Sequence, residues 1–358
     1  MKILVLTQSY PSNKSKEHMF IHVRNLFYQE NGADVTVLSF SSSSSYIYEG
    51  IKVISEKDYK KNCIKYDIIV SHASNVRNNY RFLKKYDKEL GKLIFIFHGH
   101  EVLRISKEYP DDYFYITKNT SVRKVLQNMY DSFKFWVFRN YLPRIAYKSQ
   151  FIFVSDWLRK NFYRNLKINS DTLYNHDHVI NNCVGKVFEE NDYKQAKNPK
   201  YDFITIRGNL DGSKYCVDII NELATQNPSY NFLLIGKGHY FEYNSMASNI
   251  TWINKQMNHD EMIELINNSR FALMPTREDT QGVMTCELAT FGIPTITSDI
   301  EVCREIFAIY PNVILVPNSS NQINLKYIID NYKKRESNHK YYTIDKTLKK
   351  EWYIISKQ

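Results

Sequence analysis

The chain opens with an alternation of short apolar runs and amphipathic stretches. The run from Lys2 to Thr7 ends in a polar turn, Glu17 to Glu30 carries apolar residues at helical spacing, and Asp34 to Phe40 forms a second apolar run. Short apolar runs bounded by turns predict buried strands, and an apolar period near 3.6 residues predicts a helix. The chain is therefore predicted to begin with a strand, a helix and a second, parallel strand.

The same alternation continues through the first half of the chain. Apolar runs at Asp67 to Val70, Leu93 to Phe97 and Phe151 to Val154 predict further strands, with helical patterns between them. Parallel strands joined by helices are connected with a right-handed crossover and form a doubly wound sheet. The serine run Ser41 to Ser45 predicts a surface loop.

Polar sequence separates this half from a second alternating series. Between Val184 and Tyr201 the apolar period disappears, which is typical of a connection between domains. Further strands are predicted at Asp202 to Ile206, Phe232 to Ile235, Ile250 to Ile253, Phe271 to Met274, Pro294 to Thr297 and Val313 to Val316. We therefore predict two α/β domains at residues 1–185 and 201–340, joined by a linker at 186–200. A C-terminal helix at 341–358 is expected to pack back toward the first domain.

Length and composition agree with two globular domains. The 358 residues are 43% hydrophobic and 15% aromatic, which is unlike a disordered chain. The five cysteines are scattered and lack the spacing of a zinc site, which favours a reducing compartment. The apolar run near the N-terminus is too short for a signal peptide, and no segment has the length of a membrane span. We expect a cytoplasmic protein, or one peripheral on the inner face of the cell membrane.

Positive charge is concentrated in one aromatic stretch of the first half. The net charge is +10, and Leu103 to Lys148 contain nine Lys or Arg against four Asp or Glu. Such a surface suits an anionic membrane or a phosphorylated substrate, and no motif accompanies it that would indicate nucleic acid. Apolar residues also recur there at helical spacing and predict one apolar face on a long helix. These residues are Val122, Leu126, Met129, Phe133 and Trp136. That face either packs on the sheet or touches a membrane or a lipid-linked acceptor.

The segment from Pro275 to Asp299 has the pattern of a ligand site. A strand ends at its start, a polar loop follows, and Gly282 opens a helix whose first N–H groups can bind an anion. Asp279 in the loop and Glu287 in the helix would repel a phosphate, so they are better suited to accept hydrogen bonds from sugar hydroxyls. This combination matches a nucleotide sugar. The alternative is that Asp279 only favours the helix start and that Glu287 is a solvated helix residue.

Two other predicted strand ends carry candidate functional residues. Arg207 ends the first strand of the second half and Lys214 follows it, so that two cations could offset the charge of a departing diphosphate without a metal. The alternative is that both are solvated. In the first half a buried strand ends in His98, His100 and Glu101, at the end of a sheet where ligands bind. A metal site there is the weaker interpretation, because a third partner is missing.

The segment Pro275 to Asp299 resembles the donor-site signature of family 4 retaining glycosyltransferases, which are group 1 glycosyltransferases with the GT-B fold. That signature has two Glu separated by seven residues, with an aromatic–glycine pair between them and a small-residue helix ending in Gly-x-Pro. The positions in register are Gly282, Glu287, Ala289, Gly292 and Pro294. Asp279 stands where the first Glu is usual, and Gln281 replaces the aromatic residue.

The resemblance extends more loosely over most of the chain. Arg207 and Lys214 resemble the pair that holds the donor diphosphate, and Gly236 and Gly238 resemble a nucleotide-binding turn. His98 matches a histidine near the donor sugar. The first loop, residues 9–20, lacks the paired glycines of many members. The family implies two Rossmann-like, doubly wound parallel-sheet domains that face a cleft.

The resemblance implies a metal-independent glycosyltransferase of hexosyltransferase type that uses no cofactor. Such an enzyme moves a sugar from a nucleoside diphosphate sugar to an acceptor hydroxyl and retains the anomeric configuration of the sugar. Glu287 would bind ribose, and His98 would close the site from the first domain. The residues expected to be catalytic are His98, Arg207, Lys214, Asp279 and Glu287. The residues expected to bind the donor are Gly208, Gly236, Gly238, Gln281, Gly282, Val283 and Met284.

The partners implied are a UDP-sugar rather than a GDP-sugar, and a glycan or lipid-linked acceptor in the synthesis of bacterial surface polysaccharide. An anionic membrane surface is a further expected partner, and nucleic acid is not. Two other functions remain as alternatives. One is a sugar-nucleotide epimerase with the GT-B fold, and the other is a non-catalytic protein that binds a nucleotide sugar or carbohydrate.

Overall fold

The computed structural model describes residues 1–13, 18–62, 64–116, 121–333 and 340–357. These divide into two compact units, each described here by itself. The first unit comprises Met1–Ile105, Gln127–Asn182 and Asp345–Gln358, and the second comprises Ser106–Leu126 and Cys183–Ile344.

The first unit is built on a sheet whose strands are parallel except at one edge. Its strands are β1 (Lys2–Thr7), β2 (Asp34–Ser39), β3 (Tyr46–Tyr48), β4 (Ile51–Ile54), β5 (Ile68–His72), β6 (Lys92–Phe97), β7 (Ser149–Phe153) and β8 (Asp177–Val179). Their order is β3-β4-β2-β1-β5-β6-β7-β8, with only β3 and β4 antiparallel among the described strands. Strands β2 to β4 lie on one side of β1 in the sheet, and the strands from β5 to β8 lie on its other side. The strand order therefore reverses between β1 and β5.

Helices connect these strands. They are α1 (Met19–Glu30), α2 (Glu56–Asn62), a π-helix (Val76–Tyr80), α3 (Arg81–Tyr86), α4 (Ile105–Glu108), α5 (Ser121–Ile145), α6 (Asp156–Leu166) and short 3-10 helices (Asp87–Glu89, Ala146–Lys148, Ser170–Leu173). The first residues of α5, and all but the first residue of α4, belong to the second unit.

The second unit is built on a parallel sheet. Its strands are β9 (Tyr201–Asn209), β10 (Phe232–Lys237), β11 (Ile250–Ile253), β12 (Ser269–Met274), β13 (Thr295–Ser298) and β14 (Val313–Val316). Their order is β11-β10-β9-β12-β13-β14, so the winding reverses between β9 and β12. The helices are α7 (Lys186–Glu190), α8 (Val217–Gln226), α9 (Tyr240–Tyr243), α10 (His259–Asn267), α11 (Val283–Phe291), α12 (Glu301–Phe307) and α13 (Leu325–Asn331), with 3-10 helices at Ser213–Tyr215 and Ser320–Gln322.

The doubly wound sheets predicted from the apolar runs are confirmed in both units. The short strands β3, β4 and β8 were not predicted; β3 and β8 have only three residues, which are too few to show a clear period. The predicted first helix begins at Met19 among the described residues. Residues 14–17 of the first loop and Cys63 lie outside the described residues. The four cysteines that the structure describes are buried thiols: Cys183, Cys216, Cys286 and Cys303.

Two segments belong to the second unit although the sequence placed them elsewhere. Residues 106–126, assigned to the first domain, carry Tyr113 and Tyr115, whose hydroxyls donate to Asp218 and Asp211 at 2.8 and 2.9 Å. The rings of both tyrosines pack on the apolar core of that unit. This packing is decided by partners about a hundred residues away in sequence, which no local pattern reveals.

The expected linker at 186–200 is likewise part of the second unit. It contains α7, on which Phe188 is fully buried in the core, with its ring 5.9 Å from that of Phe291. One buried aromatic side chain is enough to hold a short, mostly polar segment on the unit. Polar composition is therefore a poor guide to the boundary here.

The C-terminal helix α14 (Ile344–Ser356) packs in the first unit around a buried ion pair. The Nε atom of Arg24 lies 3.1 Å from both carboxylate oxygens of Glu351, and neither side chain is exposed to solvent. Tyr28 donates a further hydrogen bond to Glu351 and stacks on Trp352 at 5.8 Å between ring centroids. This network fixes the helix against α1.

We expect Glu351→Ala to destabilise the first unit by about 3 kcal/mol or more, because it leaves the buried charge of Arg24 without its partner. The matched control is Lys349→Ala, which removes an exposed ion pair of the same helix, 2.8 Å from Asp345, and should cost about 0.5 kcal/mol or less. Urea unfolding of both variants measures the difference. Equal losses would show that the buried pair contributes no more than the surface pair.

Candidate functional site

The ends of β9 and β12 form the reversal point of the second sheet. Arg207 lies near the end of β9, and Pro275 follows β12 directly. The Nη2 atom of Arg207 donates to the carbonyl oxygen of Pro275 at 2.6 Å, so the two strand ends are joined. Ligands of open α/β sheets bind outside the carboxyl ends of strands at such a reversal. This position is the candidate site.

Arg207 is a buried cation that its surroundings satisfy only in part. It is 7% exposed, and its Nε atom has no hydrogen-bond partner within the described part of the chain. Burial lowers the pKa of the guanidinium from its ordinary value, and electrostatic interactions with Tyr215 and Asp279 oppose this lowering. A buried, unsatisfied N–H is costly, so such a group is well placed to meet an anionic ligand.

Lys214 shares an aromatic neighbour with Arg207. The ring centroid of Tyr215 is 5.1 Å from the guanidinium carbon of Arg207 and 4.9 Å from the Nζ atom of Lys214. Tyr109, from the segment 106–126, lies 5.7 Å from the same Nζ atom. The two predicted cations are therefore brought together around one ring.

Hydrogen bonds between two loops hold Lys214 in place. Its carbonyl oxygen accepts from Arg277 N at 2.8 Å and from Thr276 Oγ1 at 3.1 Å. Arg277 also binds Asp218 through both terminal nitrogens, at 2.9 and 2.5 Å. These bonds fasten the loop after β9 to the loop after β12. The ion pair of Arg277 with Asp218 was not predicted from the sequence, since each residue alone is an ordinary surface charge.

The carboxylate of Asp279 shapes the turn that opens α11. Its Oδ1 atom accepts from the backbone N–H groups of Thr280, Gln281 and Gly282 at 2.8, 3.3 and 2.9 Å. Gly282 has a φ of 77°, which favours glycine. The structure thus gives Asp279 the turn-forming role that the sequence left as its alternative. Its contact with a donor sugar stays a prediction.

Glu278, which the sequence analysis did not select, is the less satisfied carboxyl group of this loop. It is 7% exposed, and its Oε1 atom is buried without a partner within the described residues. Burial, together with the charges of Asp279 and Glu108, raises the pKa of Glu278 to about 8, while Lys214 acts in the opposite direction. At neutral pH this group is largely protonated. The signal in the sequence that could have identified Glu278 is its position next to Asp279, a residue of the donor-site signature.

Glu287 is buried and bonded. It is 4% exposed, its Oε1 atom accepts from Gly185 N at 2.9 Å, and the Nε2 atom of His259 is 3.7 Å away. Burial raises the pKa of this carboxyl group, and His259 and the Gly185 N–H oppose the rise. The interpretation of Glu287 as a solvated helix residue is therefore wrong. A Cβ atom on Gly185 would lie 2.6 Å from the His259 ring, so glycine is needed for this approach.

The predicted nucleotide-binding turn lies beside Arg207. A Cβ atom on Gly236 would lie 2.3 Å from the backbone oxygen of Arg207, and one on Gly238 would lie 2.9 Å from Leu210 Cβ. Both glycines therefore permit close packing: Gly236, near the end of β10, lies against β9, and Gly238, just after β10, lies against Leu210, which follows β9. Gly208 differs, since a Cβ atom there would meet nothing within 4 Å.

The start of α11 combines backbone donors with a buried amide. Val283 and Met284 are its first two residues, and N–H groups at this position have no acceptor within the helix. Gln281 is 2% exposed and its Nε2 atom lies 4.0 Å from the Sγ atom of Cys286. The side chain of Gln281 is thus buried inside the loop, and its contact with a donor stays a prediction.

His98 belongs to the first unit, at the end of β6. Its Nε2 atom lies 3.0 Å from the Nδ1 atom of His72, and its backbone N–H donates to Glu101. Burial is the main cause that lowers the pKa of both histidines well below the ordinary value, so both rings are neutral near pH 7. Within the described residues, no group of three or more His, Cys, Asp or Glu is arranged to hold a metal ion.

We expect Glu278→Gln to stabilise the protein at pH 8 by roughly 4 kcal/mol and to have little effect near pH 5. The folded pKa lies above that of the unfolded chain. Folding is therefore penalised progressively as the pH rises from about 4.5 to 8, and glutamine removes that penalty. Thermal unfolding of wild type and variant at both pH values measures this difference in stability. Glu264→Gln, at an exposed position of α10, is the control. A parallel pH response of wild type and Glu278→Gln would contradict the assignment.

Comparison with known proteins places the second unit in a family. Residues 187–346 match the family described as glycosyl transferases group 1. No curated protein sequence matches the chain.

Solved structures share the fold of the whole chain at low sequence identity. A glycosyltransferase from Rickettsia africae superposes with a TM-score of 0.68 at 13% identity, over 99% of this chain and 97% of that one. The catalytic domain of starch synthase IV from Arabidopsis thaliana, bound to ADP and acarbose, has a TM-score of 0.60 at 11% identity, over 100% and 95%. WaaG, a glycosyltransferase involved in lipopolysaccharide biosynthesis, has a TM-score of 0.59 at 12% identity, over 100% of both chains.

These likenesses establish the fold, and the family match adds the kind of enzyme. The GT-B fold predicted from the sequence is confirmed. The second unit is a group 1 glycosyl transferase domain, and the chain is a glycosyltransferase.

Proposed function

We propose that this enzyme transfers a sugar from a nucleoside diphosphate sugar to an acceptor hydroxyl with retention of the anomeric configuration. The observation that carries the proposal is the pairing of Arg207 and Lys214 around Tyr215 at the reversal point of the sheet. Two cations beside the loop that opens a helix suit a diphosphate. Starch synthase IV, which has this fold, was solved with ADP, which supports a nucleotide as part of the ligand.

The two cations would stabilise the charge that develops on the leaving group. As the bond between the anomeric carbon and the diphosphate oxygen breaks, negative charge grows on that oxygen, and the unsatisfied Nε–H of Arg207 and the Nζ of Lys214 can meet it. Both are held before the ligand arrives, so little reorganisation is needed. The acceptor oxygen would attack on the face from which the diphosphate departs, and a phosphate oxygen would take its proton.

Glu287 would bind the ribose of the donor. Its Oε1 atom is occupied by the N–H of Gly185, which leaves Oε2 to accept from a ribose hydroxyl. The buried position of the carboxylate strengthens such a bond. A UDP-sugar remains the favoured donor, as the sequence predicted.

Glu278 is a second candidate for the donor sugar, in addition to the predicted Asp279. Because Glu278 is largely protonated at neutral pH, it can donate a hydrogen bond without repelling a neighbouring diphosphate. The carboxylate of Asp279 already accepts three backbone hydrogen bonds. The role of His98 near the donor sugar stays a prediction.

We propose a glycan or lipid-linked acceptor, in bacterial surface polysaccharide synthesis at the inner face of the cell membrane. The involvement of WaaG in lipopolysaccharide biosynthesis, on the same fold, supports this acceptor class. An epimerase or a non-catalytic binding protein would use a similar nucleotide site, but the group 1 family match favours transfer.

We expect a UDP-sugar, tested beside GDP- and ADP-sugars, to raise the unfolding temperature of the wild type. The Lys214→Met variant should bind that UDP-sugar about tenfold or more weakly, because a charge-assisted contact is lost. Titration of the thermal shift measures the affinity. Lys326→Met, on an exposed lysine of α13 in the same unit, is the control. Equal protection of Lys214→Met and the control would remove Lys214 from the donor site.

We expect transfer to proceed at an unchanged rate in EDTA, since Arg207 and Lys214 supply the positive charge that a metal would otherwise bring. NMR of the product should show that the anomeric configuration of the donor is kept. Loss of activity that magnesium or manganese restores would contradict the first expectation, and an inverted product would contradict the second.

A further inference from the structure

Helix α5 presents a continuous apolar face to solvent. The residues of this face, called here the α5 stripe, are Val122, Leu126, Met129, Phe133 and Trp136, and each is between 51% and 66% exposed. They recur every three or four positions and so lie along one side of the helix. Single exposed apolar residues are ordinary, whereas a stripe of five marks an interaction surface.

The stripe is not a core face that has turned outward. The opposite side of α5 is fixed by buried Phe135, Phe138 and Leu142. It also carries a buried ion pair in which Lys134 Nζ lies 2.9 Å from Asp131 Oδ1. The sequence left open whether the stripe packs on the sheet, and in the structure the stripe is exposed while the other face of α5 is buried.

Lys134 and Asp131 also bind the backbone that α5 crosses. The Nζ atom of Lys134 donates to the carbonyl oxygens of His100 and Leu103 at 2.7 and 3.1 Å. Asp131 Oδ2 accepts from Ile105 N at 2.9 Å. Rotation of α5 to bury the stripe would break all of these buried bonds, so the outward orientation is stable.

The charges that α5 offers to solvent have one sign. Asp131, its only acidic residue, is buried and paired with Lys134. Its remaining charged residues are basic: Arg123, Lys124, Arg139 and Arg144. Arg139 is half-buried and donates to Leu166 O, while the other three are exposed. Lys124 Nζ lies 2.7 Å from Asp111 Oδ1, so Arg123 and Arg144 are the exposed cations of α5 that form no ion pair among the described residues. An apolar stripe with these two cations complements an anionic lipid surface.

We propose that α5 docks in the interface of an anionic bilayer, with the α5 stripe among the acyl chains and Arg123 and Arg144 at the headgroups. No helix within the described residues combines the length and apolar character needed to cross a bilayer, so α5 would lie along the surface. A second copy of the chain is the less suitable occupant, because a symmetric pair would bring two cationic surfaces together. Docking goes beyond the transfer reaction and does not depend on it.

Sedimentation of the full chain with phospholipid vesicles tests the proposal. We expect binding to vesicles that contain phosphatidylglycerol, weaker binding to pure phosphatidylcholine, and partial loss of binding at high salt. The double variant Phe133→Gln/Trp136→Gln should bind the acidic vesicles at least about tenfold more weakly. Tyr327→Gln, at an exposed aromatic residue of α13, is the matched control and should bind like the wild type.

A charge variant tests the second half of the proposal. Arg123→Gln/Arg144→Gln should lose about twentyfold in affinity at low salt, since each cation near an acidic surface contributes about fivefold. The control is Lys326→Gln/Lys349→Gln, which removes two exposed lysines from other helices. Equal binding by both pairs would remove the charged contact.

Brominated lipid gives a direct readout of the stripe. Quenching of Trp136 should occur with acidic vesicles and should be absent in Trp136→Gln, whose three remaining tryptophans report the background. Unfolding temperatures of all variants should match the wild type, because the substituted side chains are exposed. Failure of the wild type to bind acidic vesicles at low salt would overturn the proposal. So would a wild-type dimer that Phe133→Gln/Trp136→Gln converts to a monomer. Donor-induced thermal protection, measured on the same proteins, tests the transferase proposal separately.

Discussion

The candidate site depends on how the second unit accommodates the buried guanidinium of Arg207. Its hydrogen bond to the Pro275 carbonyl joins the ends of β9 and β12, and its charge lies over Tyr215. The backbone oxygen of Arg207 leaves no room for a Cβ atom at Gly236. One residue therefore dictates the packing of three strand ends. Its Nε–H has no hydrogen-bond partner in the part of the chain that the structure describes, so that this group can meet an anion.

The two units treat buried ionisable groups differently. In the first unit, Arg24 and Glu351 form a buried ion pair that fastens the C-terminal helix. In the second unit, Arg207 and Glu278 are buried without an ion pair among the described residues, and each has an atom there without a hydrogen-bond partner. A buried ion pair holds the fold together, whereas a buried charge without a partner reduces the free energy of unfolding until a ligand binds. Residues that bind ligands are expected to show this second pattern.

Segments distant in sequence complete the candidate site of the second unit. Tyr109 and Glu108 come from the first half of the chain, yet Tyr109 lies against Lys214 and the charge of Glu108 acts on Glu278. Gly185, placed by the sequence at the end of the first domain, donates to Glu287. The site is thus assembled from chain segments on both sides of the predicted boundary.

The sequence by itself determined the two doubly wound sheets and the segment around α11, because strand and helix periods and glycine positions are local signals. The resemblance of that segment to a known family implied the GT-B fold. It also predicted that Arg207, Lys214 and Glu287 serve the donor, and the structure brings Arg207 and Lys214 together around Tyr215. Only the tertiary structure decided what each side chain meets. Asp279 and Glu278 are adjacent, but one accepts three backbone hydrogen bonds and the other is left with a buried, unpaired oxygen. The stripe on α5 follows the same rule: periodicity shows that a helix face is apolar, but whether that face is covered depends on residues far away in sequence.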